Sequence, residues 1–410
     1  MRLRRPGALL VVAALLALAA TPAAASPGRD SRKQGADPLG IEARSWALMD
    51  AETGELLTSH AARQKLPIAS TTKLMTAWVT LHEARLSQIV RARRYIPEYG
   101  ESLMGLRTGQ RISIHDLLYG LILRSGNDAA HTLAIEVGGS IPRFVSQMNR
   151  DARAMGLTDT HYANPVGLDQ KGNYSSAADL ATLTRHLLAI PAFAKIADTR
   201  EVELRSVRPR RRIATINELL EMAPWVNGVK TGHTFGALYV LVGSGRRKGK
   251  ELIAVAIGAP SDEYRFSDDL KLLEYGFTLY RHRTPVHAGE QLALPTIRYT
   301  DGSLPLRAAH GLTVDTRRGE HLGVQVRAPH QVEGPIRRGA KLGRASVFVA
   351  GRPAGTVALE AGRAVPKAGF LDRSREWVED HPVPIVVALF VILMVGVSLY
   401  RRRGRGSTAT

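Results

Sequence analysis

The stretch Ile68-Ala-Ser-Thr-Thr-Lys-Leu-Met-Thr-Ala77 holds a serine and a lysine three residues apart, Ser70 and Lys73. Apolar residues at helical spacing continue from there to Leu81 and predict an amphipathic helix. A spacing of three puts both side chains on one helical face, with Lys73 about one turn beyond Ser70. The positive end of the helix dipole suits an attacking oxygen and a developing oxyanion at Ser70.

Lys73 can act as the base for Ser70 only while its amine is neutral, because an ammonium group cannot accept a proton. Burial, or a second cation close by, would lower the lysine pKa enough for this role. Lys230 is the candidate for that second cation. A lone Ser-x-x-Lys is more often a helix cap with a solvated lysine, so the interpretation depends on the rest of the chain.

Two further polar triplets follow in the chain. The first, Ser125-Gly-Asn127, comes directly after the helical pattern of residues 117–123 and predicts a loop between two buried helices. The second, Lys230-Thr-Gly232, lies between two strand-like runs, and on an edge strand it would pair with an extended peptide. Each triplet alone is weak evidence, but the three motifs in this order indicate a serine acyl-transfer site.

The motif set resembles that of penicillin-binding proteins and class A β-lactamases. Longer runs are similar to low-molecular-mass penicillin-binding proteins, the D-alanyl-D-alanine carboxypeptidases of serine peptidase family S11. These runs are residues 68–77, 125–130, 164–169 and 227–234, and residues 334–343 resemble the β-rich C-terminal domain of the family. The resemblance covers about residues 41–368. It implies an α/β (α+β) peptidase domain of the penicillin-binding protein and β-lactamase type, followed by a small all-β, sandwich-like domain.

The resemblance also implies a reaction and a role for each motif residue. Ser70 would attack a peptidoglycan stem pentapeptide and expel its terminal D-Ala, which limits cross-linking, with Lys73 as base and Ser125 protonating the leaving amine. β-Lactams would acylate the same serine. No cofactor and no metal ion are implied. The implied substrate-binding residues are Asn127, Lys230, Thr231, Gly232 and His233, where the N–H of His233 would complete an oxyanion hole with that of Ser70.

One residue departs from the family pattern. The family usually has Ala-Gly-Tyr shortly after Lys-Thr-Gly, and this chain has leucine, Leu238, in place of the glycine. We interpret Leu238 as a core-facing strand residue with local repacking. The alternative is that the leucine narrows the cleft or shifts the strand, which would affect substrate fit and leave the acylation chemistry intact.

The sequence argues against several other functions and leaves two alternatives to the carboxypeptidase. Residues 156–172 contain no Glu that could activate a deacylating water, so efficient β-lactam hydrolysis is not expected. The 13 His residues show no His-Glu-x-x-His or comparable zinc spacing. The absence of Cys excludes a cysteine nucleophile and disulfides. Two alternatives stay open: an endopeptidase that cuts D-Ala cross-links, and a β-lactam-binding or wall-binding module that acylates without turnover.

Both ends of the chain carry targeting signals. Residues 1–25 have a cationic start, an apolar core and an Ala-Ala-Ala run, the layout of a cleavable secretory signal. Residues 383–400 are uncharged and apolar and precede four arginines, so they predict a transmembrane helix of about 27 Å with a basic cytoplasmic tail at 401–410. A buried core helix is the alternative. The expected location is the cell membrane, single-pass, with the catalytic domain outside.

Composition and patterning give the remaining organisation. With 44% hydrophobic and 23% charged residues the chain is globular. We predict a disordered lead at 26–40, the peptidase domain at 41–281, the β-rich domain at 282–368 and a stalk at 369–382. Alternating apolar runs and turn signals favour the β-rich assignment.

The chain is strongly basic, with a formal net charge of +19. Removing three arginines of the signal and four of the tail leaves +12 on residues 26–400, so the excess belongs to the exported part. Such a surface would attract anionic wall polymers or phospholipid headgroups, although a solvated basic loop is the commoner explanation. Nucleic acid is not an expected partner of an exported protein. The densest basic patch consists of Arg205, Arg208, Arg210, Arg211 and Arg212.

Overall fold

The computed structural model describes residues 39–370, 372–374 and 382–404. The predicted signal peptide at 1–25 lies outside the described residues, as do most of the lead at 26–40 and the greater part of the stalk at 369–382. Of the predicted tail at 401–410, only the first four residues are described. The structural predictions for these segments stay predictions.

The helices and strands follow one another in a mixed order. A short 3₁₀ helix (Ala69–Thr72) precedes the first α-helix. The α-helices are α1 (Lys73–Glu83), α2 (Ile114–Leu123), α3 (Asn127–Gly138), α4 (Ile141–Ala154), α5 (Ala177–Leu188), α6 (Pro191–Ala197), α7 (Leu219–Met222), α8 (Asp262–Thr278) and α9 (Pro382–Gly404). The strands are β1 (Ser45–Asp50), β2 (Leu56–His60), β3 (Ile89–Arg91), β4 (Arg111–Ser113), β5 (Glu201–Leu204), β6 (Arg211–Ala214), β7 (Val226–Thr234), β8 (Leu238–Arg247), β9 (Lys250–Ala259), β10 (Tyr280–Val286), β11 (Gln291–Ala293), β12 (Thr296–Ile297), β13 (Leu306–Ala308), β14 (Leu312–Arg317), β15 (Leu322–Arg327), β16 (Gln331–Val332), β17 (Lys341–Val349) and β18 (Arg352–Ala361).

A five-stranded antiparallel sheet, in the order β2-β1-β9-β8-β7, organises the N-terminal part of the protein. Its central strand β9 is apolar almost throughout, because both faces of the sheet are covered. Ile253 and Val255 point to one face and join the main core, whereas Leu252 points to the other face and contacts α8 at Gly276. Strand β7 is left at one edge of this sheet.

Helix α1 is buried over most of its length, and solvent reaches mainly its C-terminal turn. Leu74, Met75 and Ala77 are buried, but so are its polar residues Thr76 and Thr80. The reason is that α2, α3, α4 and α5 all contact α1, which leaves the helix exposed to solvent chiefly at its last residues, His82 and Glu83. The two threonine hydroxyls donate to backbone carbonyls at 2.7 Å, which satisfies them inside the core.

The three sequence motifs lie on the elements that the sequence predicts. Ser70 precedes α1 in the 3₁₀ turn, Ser125 and Asn127 lie where α2 gives way to α3, and residues 230–232 lie on the edge strand β7. The 3₁₀ turn that carries Ser70 and strand β7 thus meet at the edge of the sheet.

The C-terminal part, within the described residues, consists of strands. A five-stranded sheet has the order β11-β13-β18-β17-β15, and the pairs β10-β14 and β12-β16 form two smaller sheets. Alternate residues of β17 and β18, such as Val347 and Val357, are fully buried in a second apolar core. The predicted domain boundary between residues 281 and 282 falls inside β10, which pairs with β14. That boundary stays a prediction.

The C-terminal segment forms the helix α9. Among the residues that the structure describes, however, a helix both long enough and apolar enough to cross a membrane is not found. The expectation of a transmembrane helix at residues 383–400 is therefore not supported.

Candidate active site

Ser70 and Lys73 are in direct contact. The Lys73 Nζ atom donates a hydrogen bond to Ser70 Oγ at 2.8 Å and a second one to the carbonyl oxygen of Val166 at 2.5 Å. Lys73 is fully buried, whereas Ser70 is partly exposed. A molecule in solvent can therefore reach the serine hydroxyl, and the amine that contacts this hydroxyl is shielded from water.

Burial lowers the pKa of Lys73 to about 7, because the ammonium form loses its hydration inside the protein. The negative charges of Glu101 and Asp128 act in the opposite direction and favour the protonated form. A lysine with this pKa is about half neutral at pH 7, and its neutral form can accept the Ser70 proton. The sequence suggests two causes for a lowered pKa of Lys73, burial and a second cation. In the structure, burial is the one that lowers it.

Lys230 is the second buried lysine of the site, with a relative exposure of 1%. Burial lowers its pKa well below the usual range, and the charges of Lys73 and Arg265 lower it further. The Lys230 Nζ atom donates to the carbonyl oxygen of Thr231 at 2.6 Å. Because these cations repel one another in a dry environment, a substrate carboxylate that enters beside them would be bound favourably.

The turn between α2 and α3 presents two unpaired oxygen atoms. Ser125 is 2% exposed and Asn127 is 4% exposed, yet Ser125 Oγ and Asn127 Oδ1 have no hydrogen-bond partner among the described residues. Ser125 also has a φ of +55°, which is unusual for a residue other than glycine. Unpaired buried polar atoms and backbone strain both concentrate at functional sites, where a ligand completes the hydrogen bonds.

Strand β7 passes directly against the turn that carries Ser70. A Cβ atom on Gly232 would lie 3.0 Å from the Ser70 backbone nitrogen and 3.1 Å from the Ala69 Cβ. The missing side chain therefore lets the two backbones approach. His233 follows on the same strand with its side chain exposed, and its ring lies 4.3 Å from that of Tyr239.

Residues 164–169 close the site from another side. Gly167 has a φ of +92°, and a Cβ atom there would lie 2.0 Å from the Ala69 carbonyl oxygen. Asp169 accepts hydrogen bonds from the Thr234 hydroxyl at 2.7 Å and from the Gly236 amide at 2.8 Å. One segment thus supplies the Val166 carbonyl to Lys73 and fixes the hairpin that follows β7.

This combination of motifs and geometry agrees with the comparison with known families. A model of the D-alanyl-D-alanine carboxypeptidase family, peptidase S11, matches residues 32–261. The chain belongs to peptidase family S11.

Relatives of this S11 peptidase match most of its length. The D-alanyl-D-alanine carboxypeptidase DacD of Salmonella typhimurium is 35% identical over 306 residues, which cover 72% of this chain and 77% of the relative. The crystal structure of penicillin binding protein 6B from Escherichia coli is 30% identical, with a TM-score of 0.58, and covers 78% of this chain and 95% of its own. A Streptomyces K15 DD-transpeptidase structure, 31% identical with a TM-score of 0.57, covers 58% of this chain and 99% of its own. The fold is thus that of the low-molecular-mass penicillin-binding proteins.

Sequence reasoning missed two residues that contact the motifs of this S11 peptidase. Glu101 accepts a hydrogen bond from Asn127 Nδ2 at 2.7 Å, and Arg265 donates to the Gly232 carbonyl oxygen at 3.1 Å. Neither residue lies in a recognisable motif, and Arg265 is 33 residues from its partner. Only the folded arrangement could reveal these contacts.

The interpretation of Leu238 as a core-facing strand residue is wrong. Leu238 is the first residue of β8, is only partly buried and has a φ of +56°. It pairs with Thr234 at the end of β7, where the three-residue connection forces the chain to turn sharply. The leucine therefore occupies a backbone conformation that glycine adopts more easily.

The basic patch predicted from the sequence is partly paired with carboxylates. The basic patch lies on the hairpin of β5 and β6, where Arg210 pairs with Glu203 at 3.3 Å and Arg212 with Glu201 at 3.7 Å. These ion pairs neutralise part of the patch. Within the described ranges, no group of three or more His, Asp or Glu side chains is placed to hold a metal ion.

Proposed function

We propose that this protein is a serine-type D-Ala-D-Ala carboxypeptidase that acts on peptidoglycan stem pentapeptides. The observation that carries the proposal is the 2.8 Å contact between Ser70 Oγ and the buried Lys73 Nζ, whose pKa lies near 7. Membership of family S11 and the carboxypeptidase relatives support the same activity.

The proposed reaction begins when neutral Lys73 takes the Ser70 proton. Ser70 Oγ then bonds to the carbonyl carbon of the penultimate D-Ala, and the amide bond to the terminal D-Ala breaks as its nitrogen gains a proton through Ser125. Water later attacks the acyl-enzyme and releases the shortened peptide. The unpaired Ser125 Oγ supports its role, because it has no hydrogen-bond partner in the described part of the chain to give up when the substrate binds.

We propose that the extended substrate peptide pairs with the edge strand β7 as an additional strand of the sheet. Lys230 and Thr231 would hold the terminal carboxylate, because a carboxylate beside the buried Lys230 would favour the charged form of this lysine. The backbone N–H groups of Ser70 and His233 would stabilise the oxyanion. The close approach of Gly232 to the Ser70 backbone supports this pairing of donors.

β-Lactams are proposed to acylate Ser70 at the same site. Their amide carbonyl and carboxylate can occupy the positions of the substrate carbonyl and the terminal carboxylate. A penicillin that carries a fluorescent group therefore reports acylation directly, without the need for a wall fragment.

The deciding experiment measures products by mass spectrometry. A stem pentapeptide and a cross-linked dimer are each incubated with the purified protein, with Ser70→Ala, and with Ser146→Ala as a control at an exposed serine on α4. Loss of one alanine from the pentapeptide by the wild type and the control, but not by Ser70→Ala, is expected. Cleavage of the dimer alone would indicate an endopeptidase, and stable penicillin binding without either product would indicate a non-turnover binding module.

The proposed location is outside the cytoplasmic membrane, where the stem peptides are. The signal-like sequence of residues 1–25 supports export. Fractionation of cells that make the full chain, or a chain ending at residue 381, tests the location and any role of α9 in membrane attachment. Recovery of both forms in the cytosol would contradict export, and equal membrane recovery of both would contradict attachment through α9.

Anionic wall polymers are a further proposed partner, through the basic patch on the β5–β6 hairpin. Arg205, Arg208, Arg210 and Arg212 are exposed there, which supports an electrostatic contact. Binding to a polyphosphate-containing wall polymer should weaken as salt rises and should weaken in Arg205→Gln/Arg208→Gln. Unchanged binding in that variant would leave a solvated loop as the explanation.

A further inference from the structure

Glu101 is a carboxylate at the active site to which the sequence motifs assign no role. Its Oε2 atom accepts hydrogen bonds from the Asn127 amide nitrogen at 2.7 Å and from the Tyr95 hydroxyl. Its Oε1 atom accepts from the backbone N–H of Glu98 at 3.1 Å. Both oxygens of the side chain are therefore engaged, so the carboxylate is held in one position.

The segment around Glu101 is tied to the start of α3 by backbone contacts as well. The Asn127 N–H donates to the Ser102 carbonyl at 2.8 Å. Asp128 accepts from the N–H groups of Met104, Gly105 and Leu106 at 2.8 to 2.9 Å. These hydrogen bonds fix the segment that carries Glu101 relative to Asn127, so the carboxylate does not move as it would on a free surface loop.

The contact with Glu101 decides which way the Asn127 amide points. A carboxylate accepts hydrogen bonds and has none to donate, so it selects the NH₂ group of the amide and turns Oδ1 away. Oδ1 is the buried atom without a partner among the described residues. The NH₂ group has a second hydrogen, which stays available for a substrate carbonyl.

We propose that Glu101 is a positioning residue of the acylation reaction, which holds the Asn127 amide with its oxygen free for Lys73 and its second N–H free for the substrate. This inference rests on the proposed function, because it assigns a role within the same site. If the amide were free to rotate, half of its orientations would present the wrong group to the substrate, and binding would have to select the other half.

The charge of Glu101 has a separate effect on Lys73. Burial would raise the pKa of Glu101, but the hydrogen bonds from Asn127 and Tyr95 lower it below its ordinary value, so the group is ionised at neutral pH. The charged groups that act on Lys73 are the carboxylates of Glu101 and Asp128, and Lys73 in turn acts on the neighbouring Lys230. Removing one negative charge should lower the pKa of Lys73, so its neutral form should appear at lower pH.

The test measures the rate of acylation of the full chain by a fluorescent penicillin across a pH series. Glu101→Ala removes both the contact and the charge, and Glu101→Gln removes the charge but keeps an oxygen that can accept from Asn127. We expect Glu101→Ala to be slower by roughly tenfold on the alkaline plateau and Glu101→Gln to be slower by less than about threefold. In both variants, the fall of the acylation rate at acidic pH should shift to lower pH. Glu98→Gln, an exposed carboxylate of the same segment, is the matched control and should change neither quantity.

A double variant tests whether Glu101 acts through Asn127. If it does, Glu101→Ala should cause no further loss on the plateau in an Asn127→Ala background. An equal loss in both backgrounds, or a plateau rate of Glu101→Ala within twofold of the wild type, would overturn the inference. If Glu101→Ala does not fold, Tyr95→Phe replaces it in the test. This variant removes one hydrogen bond to Oε2 and should cause an intermediate loss of acylation rate.

The same experiment separates failure of the inference from failure of the proposed function. If the wild type itself is not acylated at Ser70, the proposed function is wrong. If the wild type is acylated and the Glu101 variants behave like Glu98→Gln, only the inference about Glu101 is wrong.

Discussion

The side chain of Lys73 combines two properties that seldom occur together, since it is fully buried and yet carries an ionisable amine. Its only close polar contacts among the hydrogen bonds of the described residues are Ser70 Oγ and the Val166 carbonyl. Neither contact is a negative charge, so nothing adjacent to the amine compensates a proton there. The site therefore favours the neutral base, and Glu101 and Asp128 oppose this preference from farther away.

The rate of Ser70 acylation should rise with pH through about 7, the pKa of Lys73. Below that pH the protonated lysine predominates and cannot accept a proton, so the rate should fall about tenfold for each pH unit. Above it the rate should level off. Stopped-flow measurement of acylation by a fluorescent penicillin between about pH 5 and 9 checks this. Lys73→Arg, which stays charged, should lose the activity at every pH, and an Arg variant that kept the same limb would exclude Lys73 as the base.

Leu238 gives a second prediction for a single residue. Because its φ of +56° suits glycine, Leu238→Gly should change the free energy of unfolding by no more than about 1 kcal/mol. Leu238→Val should destabilise by about 1–2 kcal/mol, since a β-branched side chain clashes in this conformation.

Chemical denaturation of both Leu238 variants measures these differences. Leu322→Val is the matched control, because Leu322 is also a partly buried first residue of a strand but has no positive φ. A cost at Leu238 no greater than the cost at Leu322 would show that the backbone there is not constrained.

At the scale of helices and strands, the sequence predicts most of what places the motifs. Apolar periodicity indicates α1, the turn before α3 and the strand β7, because those patterns depend on neighbours within a few residues. It does not predict that Thr76 and Thr80, the polar residues of α1, are buried. Nor does it predict the contact of Lys73 with Val166, 93 residues away, or that of Asn127 with Glu101, 26 residues away. Such contacts depend on how distant segments meet, and local patterns carry no information about that.

Gly167 lies at a very close backbone contact between two such segments. Gly167→Ala would place a Cβ 2.0 Å from the carbonyl oxygen of Ala69, the residue before Ser70. Because this neighbour is backbone, the turn that carries Ser70 must shift. We expect a loss of stability of roughly 3 kcal/mol or more and a fall in the acylation rate of at least about a hundredfold.

Gly172→Ala is the control for the backbone conformation. Gly172 has a similar φ of +89°, but a Cβ there meets nothing closer than 3.6 Å. This variant should lose only about 1 kcal/mol from strain and keep its acylation rate. Thermal unfolding and penicillin labelling measure the stability and the acylation rate of both variants. If Gly167→Ala and Gly172→Ala lose equal stability and keep equal acylation rates, the contact with Ala69 does not hold the turn that carries Ser70 in place.

At the scale of the whole molecule, the two apolar cores are joined where β1 ends and β9 begins. The site lies at β7, whereas the connection to the C-terminal strands involves β1, the turn after it and β9. There Arg317, at the end of β14, donates to Glu55 at 2.7 Å and to Glu320 at 2.9 Å. Lys250 and Tyr280 both contact Asp50 at the end of β1. Substitutions that remove these contacts can therefore weaken the attachment of the C-terminal part while the catalytic residues stay unaltered.

Arg317→Ala should weaken this connection and leave acylation unchanged. Arg317 is partly buried and binds two carboxylates, so its loss should cost about 1 kcal/mol, or roughly 2–4 °C in Tm measured by calorimetry. Arg318→Ala changes the same charge at the exposed neighbouring residue and should leave the Tm within about 1 °C. Acylation within twofold of the wild type is expected for both variants, because Arg317 contacts the turn between β1 and β2, and strands β9 and β8 lie between β1 and β7. A large loss of acylation in Arg317→Ala alone would instead mean that the C-terminal strands support the site through the sheet.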